Sequence, residues 1–335
     1  MRERQGRTAS SVSCCSLTVA ALFGFFLTSS PVTASDPSSF SGKAGILVMA
    51  HGGRPEWNAA VEEAVAPLRT FCPVATAFGM AHPASLQRAV EQLEAQGVTR
   101  IAVVGLFVSS ESFRPQTEYL LGLNPGPPPL LIQHPPDLSG DSAAEHVVHM
   151  VPGSSAPLPI RKQAAVVLNQ EGLYDSKEIG KIIEERVLSL SISSESESVL
   201  ILAHGEGDDA INQRWISKLQ DLAAQVRELS PFRQVQVETL REDWQDKRAQ
   251  AEERIRDFVE EGNQNGGRVI VVPFRVYGFG PYADVLEGLE YVSDGRGLLP
   301  HPAVSEWIKH QAEDCFRRIG GNNPLATQER GRLLK

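Results

Sequence analysis

The chain has 335 residues, 41% of them hydrophobic and 22% charged, with a formal net charge of −9. That length allows two domains of ordinary size, and the composition is that of a folded, soluble protein. The acidic balance argues against a nucleic-acid partner, because phosphate has to be neutralised by clustered Lys and Arg.

The first 34 residues read separately from the rest. Arg2, Arg4 and Arg7 make a basic start, Leu17 to Leu27 is an uncharged apolar run, and Val32-Thr33-Ala34 offers small residues for cleavage before Ser35. That order predicts a secretory signal over 1–34 and an exported protein, periplasmic or extracellular. A membrane anchor needs about 20 apolar residues, more than this run supplies. No later stretch is long and apolar enough, so no membrane span is expected after cleavage. Removing the signal takes away three basic residues and one acidic residue, which moves the net charge from −9 to −11. Cys14 and Cys15 leave with it. Cys72 and Cys315 remain, either paired or as free thiols, and form no metal-binding Cys-x-x-Cys.

A polar tether over 35–43 leads into Ile46-Leu47-Val48-Met49, a continuous apolar run that predicts a strand buried on both faces. It stops at Ala50-His51-Gly52-Gly53. A helix is expected over 56–70, with Pro55 where a first-turn proline is tolerated. A weaker strand comes next at Val74 to Phe78. A helix over Pro83 to Gln96 is closed by Gly97, and a second buried strand covers Ile101 to Val108. The order βαβαβ predicts a parallel sheet with right-handed crossovers. Residues 124–159 are rich in Pro, Gly and Ser and read as loop or linker. A last strand of this half is expected at Ala164 to Leu168, and a helix over 176–190.

The same order then returns. Val199 to Leu202 precedes Ala203-His204-Gly205, a helix is expected over 211–229, a strand at Val235 to Val237, a charged helix over 245–261 and a buried strand at Arg268 to Val276. The two Ala-His-Gly sites lie 153 residues apart, and Glu-Tyr recurs as Glu118-Tyr119 and Glu290-Tyr291. Shared order with a shared strand-end tripeptide predicts two α/β domains related by duplication, 44–170 and 171–320, with a polar tail over 321–335.

Ligands of open parallel sheets bind beyond the carboxyl ends of the strands, where His51 and His204 sit. An imidazole there can ligate a metal or move protons near neutral pH, or hydrogen-bond a neighbouring loop and hold the turn. His82 precedes Pro83 at a helix start, and local capping is its simpler role. Glu145 to His149 holds two histidines at i, i+3 in the linker without the HExxH spacing, and is read as solvated. Glu206, Asp208 and Asp209 form an acidic cluster read as a hydrated loop rather than a hard-cation site. A hydrolase is rejected, since the chain has no Gly-x-Ser-x-Gly elbow.

GILVMAHGGRPEWNAAV and AFGMAHPASLQRAVEQLEAQGVTRIAVVGLFVSSES resemble the sirohydrochlorin cobaltochelatase and ferrochelatase family, small class II tetrapyrrole chelatases of the CbiX/SirB type. The resemblance covers nearly all of 44–121. It is looser over 199–300, where LILAHGEGDDAINQRW and RVIVVPFRVYGFG echo the same plan. It implies two tandem chelatase-like domains, each a parallel sheet flanked by helices, with the macrocycle between them. It also implies a lyase that inserts Co²⁺ or Fe²⁺ into a carboxylate-rich tetrapyrrole and uses no nucleotide. His51 matches the family's first histidine, as metal ligand and proton acceptor. A strict count places Phe113 at the second, so the implied pair is His51 with Glu111, a carboxylate that can ligate such ions. Arg54, Arg114, Arg275 and His204 are the expected contacts to the macrocycle, bidentate arginine pairing suiting its carboxylates. The rival on the same fold is a non-catalytic exported protein that binds metal or tetrapyrrole, favoured by the export signal and the missing histidine.

Overall fold

The computed structural model describes residues 42–128 and 157–325. The expected signal, most of the tether, the Glu145–His149 cluster and most of the polar tail lie outside the described residues.

Two parallel sheets carry the fold. The first has the order β2-β1-β3-β4, from β1 (Lys43–Ala50), β2 (Val74–Phe78), β3 (Val98–Leu106) and β4 (Ala165–Leu168). The second has the order β6-β5-β7, from β5 (Glu197–Ala203), β6 (Gln234–Thr239) and β7 (Arg268–Phe274). Every pairing is parallel, and in both sheets the strand that ends in Ala-His-Gly is flanked on both sides. Beyond β7, Val292 makes a single parallel bridge with Ile270, in the place that β4 takes beside β3. The expected Glu-Tyr echo does not survive. Glu118-Tyr119 lies in α3 (Arg114–Leu120), whereas Glu290-Tyr291 leads into the Val292 bridge, so the two dipeptides occupy different elements.

The apolar runs form strands because each has something to bury on both faces. Along β1, Ile46, Val48 and Ala50 enter one core while Leu47 and Met49 enter another. Along β5, Val199, Ile201 and Ala203 join the same core as Ile46, and Leu200 and Leu202 face a third. The first core is therefore common to both sheets. It is filled by α1 (Pro55–Val65), α4 (Lys177–Leu190), α5 (Asp209–Leu229) and α8 (Pro302–Ile319). The outer faces are covered by α2 (Pro83–Glu94) and α3 on the first sheet. On the second they are covered by α6 (Gln245–Gly262) and α7 (Tyr282–Val285). Pro55 and Pro83 open α1 and α2 as expected, and residues 66–70 tighten into a 3₁₀ turn instead of continuing α1.

A division at residue 170 fits the sheets but not the helices. Helix α8 comes after the second sheet in sequence yet packs on β3, β4 and α1 of the first. Its Arg318 donates to Leu168 O at 2.7 Å, and Gln311 donates to Glu171 at 2.8 Å. Arg100, only 3% exposed within β3, donates to the carbonyls of Gly42, Gly320 and Asn322, tying the start of the described chain to the end of α8. A buried guanidinium is tolerated there because carbonyl oxygens replace the water it loses.

Cys72 and Cys315 are both free and buried, which settles the alternatives against a disulfide. Burial raises the Cys72 thiol to about 12 and the Cys315 thiol to about 11, so neither is a reactive thiolate. Among the described residues no helix is long and apolar enough to cross a membrane.

Trp307 of α8 is 2% exposed in the shared core. Trp307→Ala is expected to cost about 3–5 kcal/mol. Urea unfolding followed by circular dichroism should still show one transition, because both sheets lean on that core; two separate transitions would contradict a common core.

Candidate functional site

Each Ala-His-Gly strand end is built by the same local geometry. Past Ala50 the chain turns at Gly52, whose φ of 75° is left-handed. A Cβ there would stand 2.9 Å from Phe78 Cβ, so only glycine fits. Gly53 N–H donates to Asn58 Oδ1 at 3.0 Å, which locks the turn to the first residues of α1. In the second sheet Gly205 has φ 83°, its Cβ would lie 2.7 Å from Thr239 Cβ, and Glu206 N–H donates to Asn212 Oδ1 at 3.0 Å. Both imidazoles then make the same bond: His51 Nδ1 donates to Gly52 O and His204 Nδ1 donates to Gly205 O, each at 2.8 Å. A carbonyl only accepts, so Nδ1 carries the proton in both rings.

The outward nitrogens differ. His51 lies flat against Trp57, with ring centroids 5.2 Å apart and planes 12° from parallel, and Nε2 has no hydrogen-bond partner among the described residues. Burial holds its pKa below 6.5, partly opposed by the Gly52 bond; the charges of His204 and Arg275 lower it further and that of Asp243 raises it. His51 is thus a neutral imidazole with a bare lone pair on Nε2. His204 Nε2 instead lies 3.2 Å from Asp243 Oδ2 and 3.8 Å from Glu242 Oε2. Burial alone would lower its pKa, but the Asp243 hydrogen bond and the charges of Glu242 and Asp243 outweigh it, and the net shift is upward. With both nitrogens donating, His204 is an imidazolium. Glu242 also accepts from Arg275 Nη1, which continues the chain of alternating charge to the end of β7.

Of the residues expected at the site, the structure brings His51, His204 and Arg275 within electrostatic reach of one another, while Glu111 acts on Glu206 beside His204 rather than most strongly on His51. Glu111 pairs with Arg214 of α5 at 2.9 Å, and the charges acting most strongly on His51 come from His204, Arg275 and Asp243. Phe113, at the position of the family's second histidine, packs edge-on against Phe107 at 5.2 Å. Arg54 is exposed at the start of α1, and its side chain makes no hydrogen bond among the described residues. Arg114 is spent on the fold, donating to Ser110 O, Glu118 and Asn169 O. Beside it a cavity of about 10 Å³, lined by Gly105, Ser109, Ser110, Ser112 and Arg114, has room for roughly one water. His82 caps α2 through Nδ1, which accepts from Ser85 N–H at 3.4 Å. The acidic loop after His204 already holds the protein's own cations: Arg241 and Lys247 bond Asp209 at 2.7 and 2.6 Å. Asp208 caps α5 through Ile211 N–H.

Sequence reasoning missed Glu242, Asp243, Trp57 and Tyr277. The available signal was position. Glu242-Asp243 lies just past β6, at the carboxyl edge where ligands of such sheets bind. Trp57 sits in the first turn of the helix that begins after Gly53.

The two shifts fix a pH dependence. His204 is raised above its unfolded value, so its contribution is full below pH 6.5 and is lost as pH rises through the folded pKa. Asp243 is depressed, so its contribution is present above 3.8 and is lost as pH falls through its folded pKa. The pair therefore stabilises most between those two unfolded values. Asp243 is 37% exposed, and solvent screening keeps the effect near about 1 kcal/mol. Urea titrations of Asp243→Asn should show that loss at about pH 5.5 and a smaller one at about pH 9; equal losses at both would refute the ion pair.

The CbiX family model matches residues 45–112. No curated protein matches the chain by sequence. Among solved structures, SirB from Bacillus subtilis with Fe³⁺ is 14% identical, with a TM-score of 0.55, over 87% of this chain and 98% of that one. The sirohydrochlorin chelatase SirB from Bacillus subtilis subspecies spizizenii in complex with cobalt is 13% identical, with a TM-score of 0.51 over the same shares. A multi-domain protein from Deinococcus radiodurans, described as similar to chelatases with two additional novel domains, is 16% identical with a TM-score of 0.50, over 85% of this chain and 56% of that one. Residues 45–112 thus match the CbiX family model, and the two sheets together take the fold of the sirohydrochlorin chelatase structures.

Proposed function

We propose that the protein is a tetrapyrrole metal chelatase that takes Co²⁺ or Fe²⁺ and a sirohydrochlorin-type macrocycle as substrates, with His51 as the residue that holds the ion. One observation carries the reading: His51 presents an unpartnered Nε2 lone pair at a strand end while Nδ1–H is fixed on Gly52 O. Neutral imidazole with one nitrogen anchored and the other free is the form that binds such metals. Insertion exchanges two ring N–H protons for the ion, so two protons must leave. The acidic side chain whose charge acts on His51 is Asp243; the His204 hydrogen bond keeps it a carboxylate and a weak base, so the two protons pass on to solvent water.

Among the described residues no group of three or more His, Cys, Asp or Glu side chains is arranged to hold a metal. His51 would therefore be the main protein ligand, leaving the other positions to water and the incoming ring nitrogens. A loose hold suits an ion that is to be handed over. The second reading, a non-catalytic protein that binds metal or tetrapyrrole, is favoured by the same sparseness: Phe113 fills the second histidine position and His204 is occupied by its carboxylates. Export through residues 1–34 would favour the second reading, and N-terminal sequencing of the exported protein should find Ser35 first.

The purified protein is expected to bind Co²⁺, and His51→Ala to weaken that binding at least about tenfold, measured by calorimetry. Because protons compete for Nε2 and its pKa lies below 6.5, affinity should hold steady at neutral pH and fall only as pH drops through the lowered value. Mixing with sirohydrochlorin and following its absorbance separates the readings: binding without turnover retires the enzyme.

A further inference from the structure

His51 is held on only one edge by a hydrogen bond; its face is held by rings. Trp57 stacks on it at 5.2 Å and 12°, and Tyr277, which lies past β7 in the other half of the chain, stacks with Trp57 at 6.1 Å and 21°. The three rings form a nearly parallel series that begins at one strand end and finishes at another sheet's. The backbone makes room for it at Gly53, where a Cβ would lie 2.8 Å from Trp57 Cε3. The buried indole Nε1 donates to nothing among the described residues, so Trp57 is placed by stacking and packing and not by a hydrogen bond.

We propose that Trp57 is the positioning residue of the metal site, fixing the plane of His51 so that Nε2 stays bare and outward, with Tyr277 setting Trp57 from the second half of the chain. A single hydrogen bond at Nδ1 leaves the ring free to tilt about that bond, and a parallel face contact removes this freedom. Stacking of this kind is specific in geometry as well as favourable in burial. Outer residues that orient a ligating histidine carry part of the metal affinity, and losing one costs about 10- to 100-fold. The inference rests on the reading of His51 as the metal-binding residue.

The experiment uses the whole protein and three variants: Trp57→Ala, Trp57→Phe and Gly53→Ala. Two quantities are read, Co²⁺ affinity by titration and the tautomer of His51 by imidazole ¹⁵N–¹H correlation. Trp57→Ala is expected to lose about tenfold in Co²⁺ affinity and to mix the two tautomers. Trp57→Phe should restore both to near the wild-type values, because a phenyl ring keeps the face contact and no hydrogen bond is lost. Gly53→Ala keeps the indole but displaces it, and should reproduce the alanine effect in weaker form. Trp57→Ala with an unchanged tautomer and affinity overturns the proposal, as does Trp57→Phe behaving like Trp57→Ala. If Trp57→Ala fails to fold, Trp57→Phe and Gly53→Ala decide by the same two readouts. Failure of the wild type to bind Co²⁺ would sink the metal reading instead, while the tautomer would still report whether Trp57 governs the ring.

Discussion

The site depends on one short hydrogen bond, from the Nδ1–H of a strand-ending histidine to the carbonyl of the very next residue. That bond needs the chain to turn at once, and the turn needs a left-handed glycine against a neighbouring strand that leaves no room for a Cβ. It also needs the strand to end in register with its neighbour. Gly79 N–H reaches back to the carbonyls of Ala50 and His51, and Arg241 N–H to that of His204. Given those conditions, the Nδ1–H of each ring has an acceptor, which favours the tautomer whose Nε2 faces outward.

From the same scaffold the two halves reach opposite charge states, and the cause lies in the residues just past the neighbouring strand. After β6 the chain presents Glu242 and Asp243, whose carboxylates reach His204. After β2 it presents Ala81, buried and left-handed, and His82, turned away to cap α2. Near His204, charge-assisted hydrogen bonding exceeds the cost of burying a cation, so the proton stays. At His51 no carboxylate of the described residues bonds the ring, so burial decides and the proton is lost. Local backbone geometry is thus shared while chemistry is set by two residues at an adjacent strand end.

Much of this was legible in the sequence. The apolar runs at 46–49 and 199–202 announced strands buried on both faces, and the strand-end rule placed both histidines at the working edge. The placement of helix α8 was not legible, because an apolar helix face states that it must be covered without saying by which sheet. The acidic partners of His204 read as ordinary loop polarity, since Glu242 and Asp243 become its neighbours only once β6 pairs with β5. Glu111 shows the converse limit. It is close along the chain to the family's second histidine position, but Arg214 on a helix of the other half captures it.

His51 remains neutral because burial and the balance of nearby charges act on it in the same direction. Arg275 is matched by Glu242 and His204 by Asp243, all four rising from the strand ends of the second sheet. On His51 each of the two cations acts to lower the pKa by more than Asp243 acts to raise it, so their balance adds to the effect of burial. The largest influence is desolvation, to which the indole of Trp57 contributes by covering one ring face. The second half of the chain therefore serves the first twice, by placing His204 and Arg275 where they lower the His51 pKa and by sending Tyr277 to brace the indole. A first half standing alone would keep the histidine and its glycine turn. It would lack the bracing tyrosine and the two cations that help leave Nε2 oriented and unprotonated.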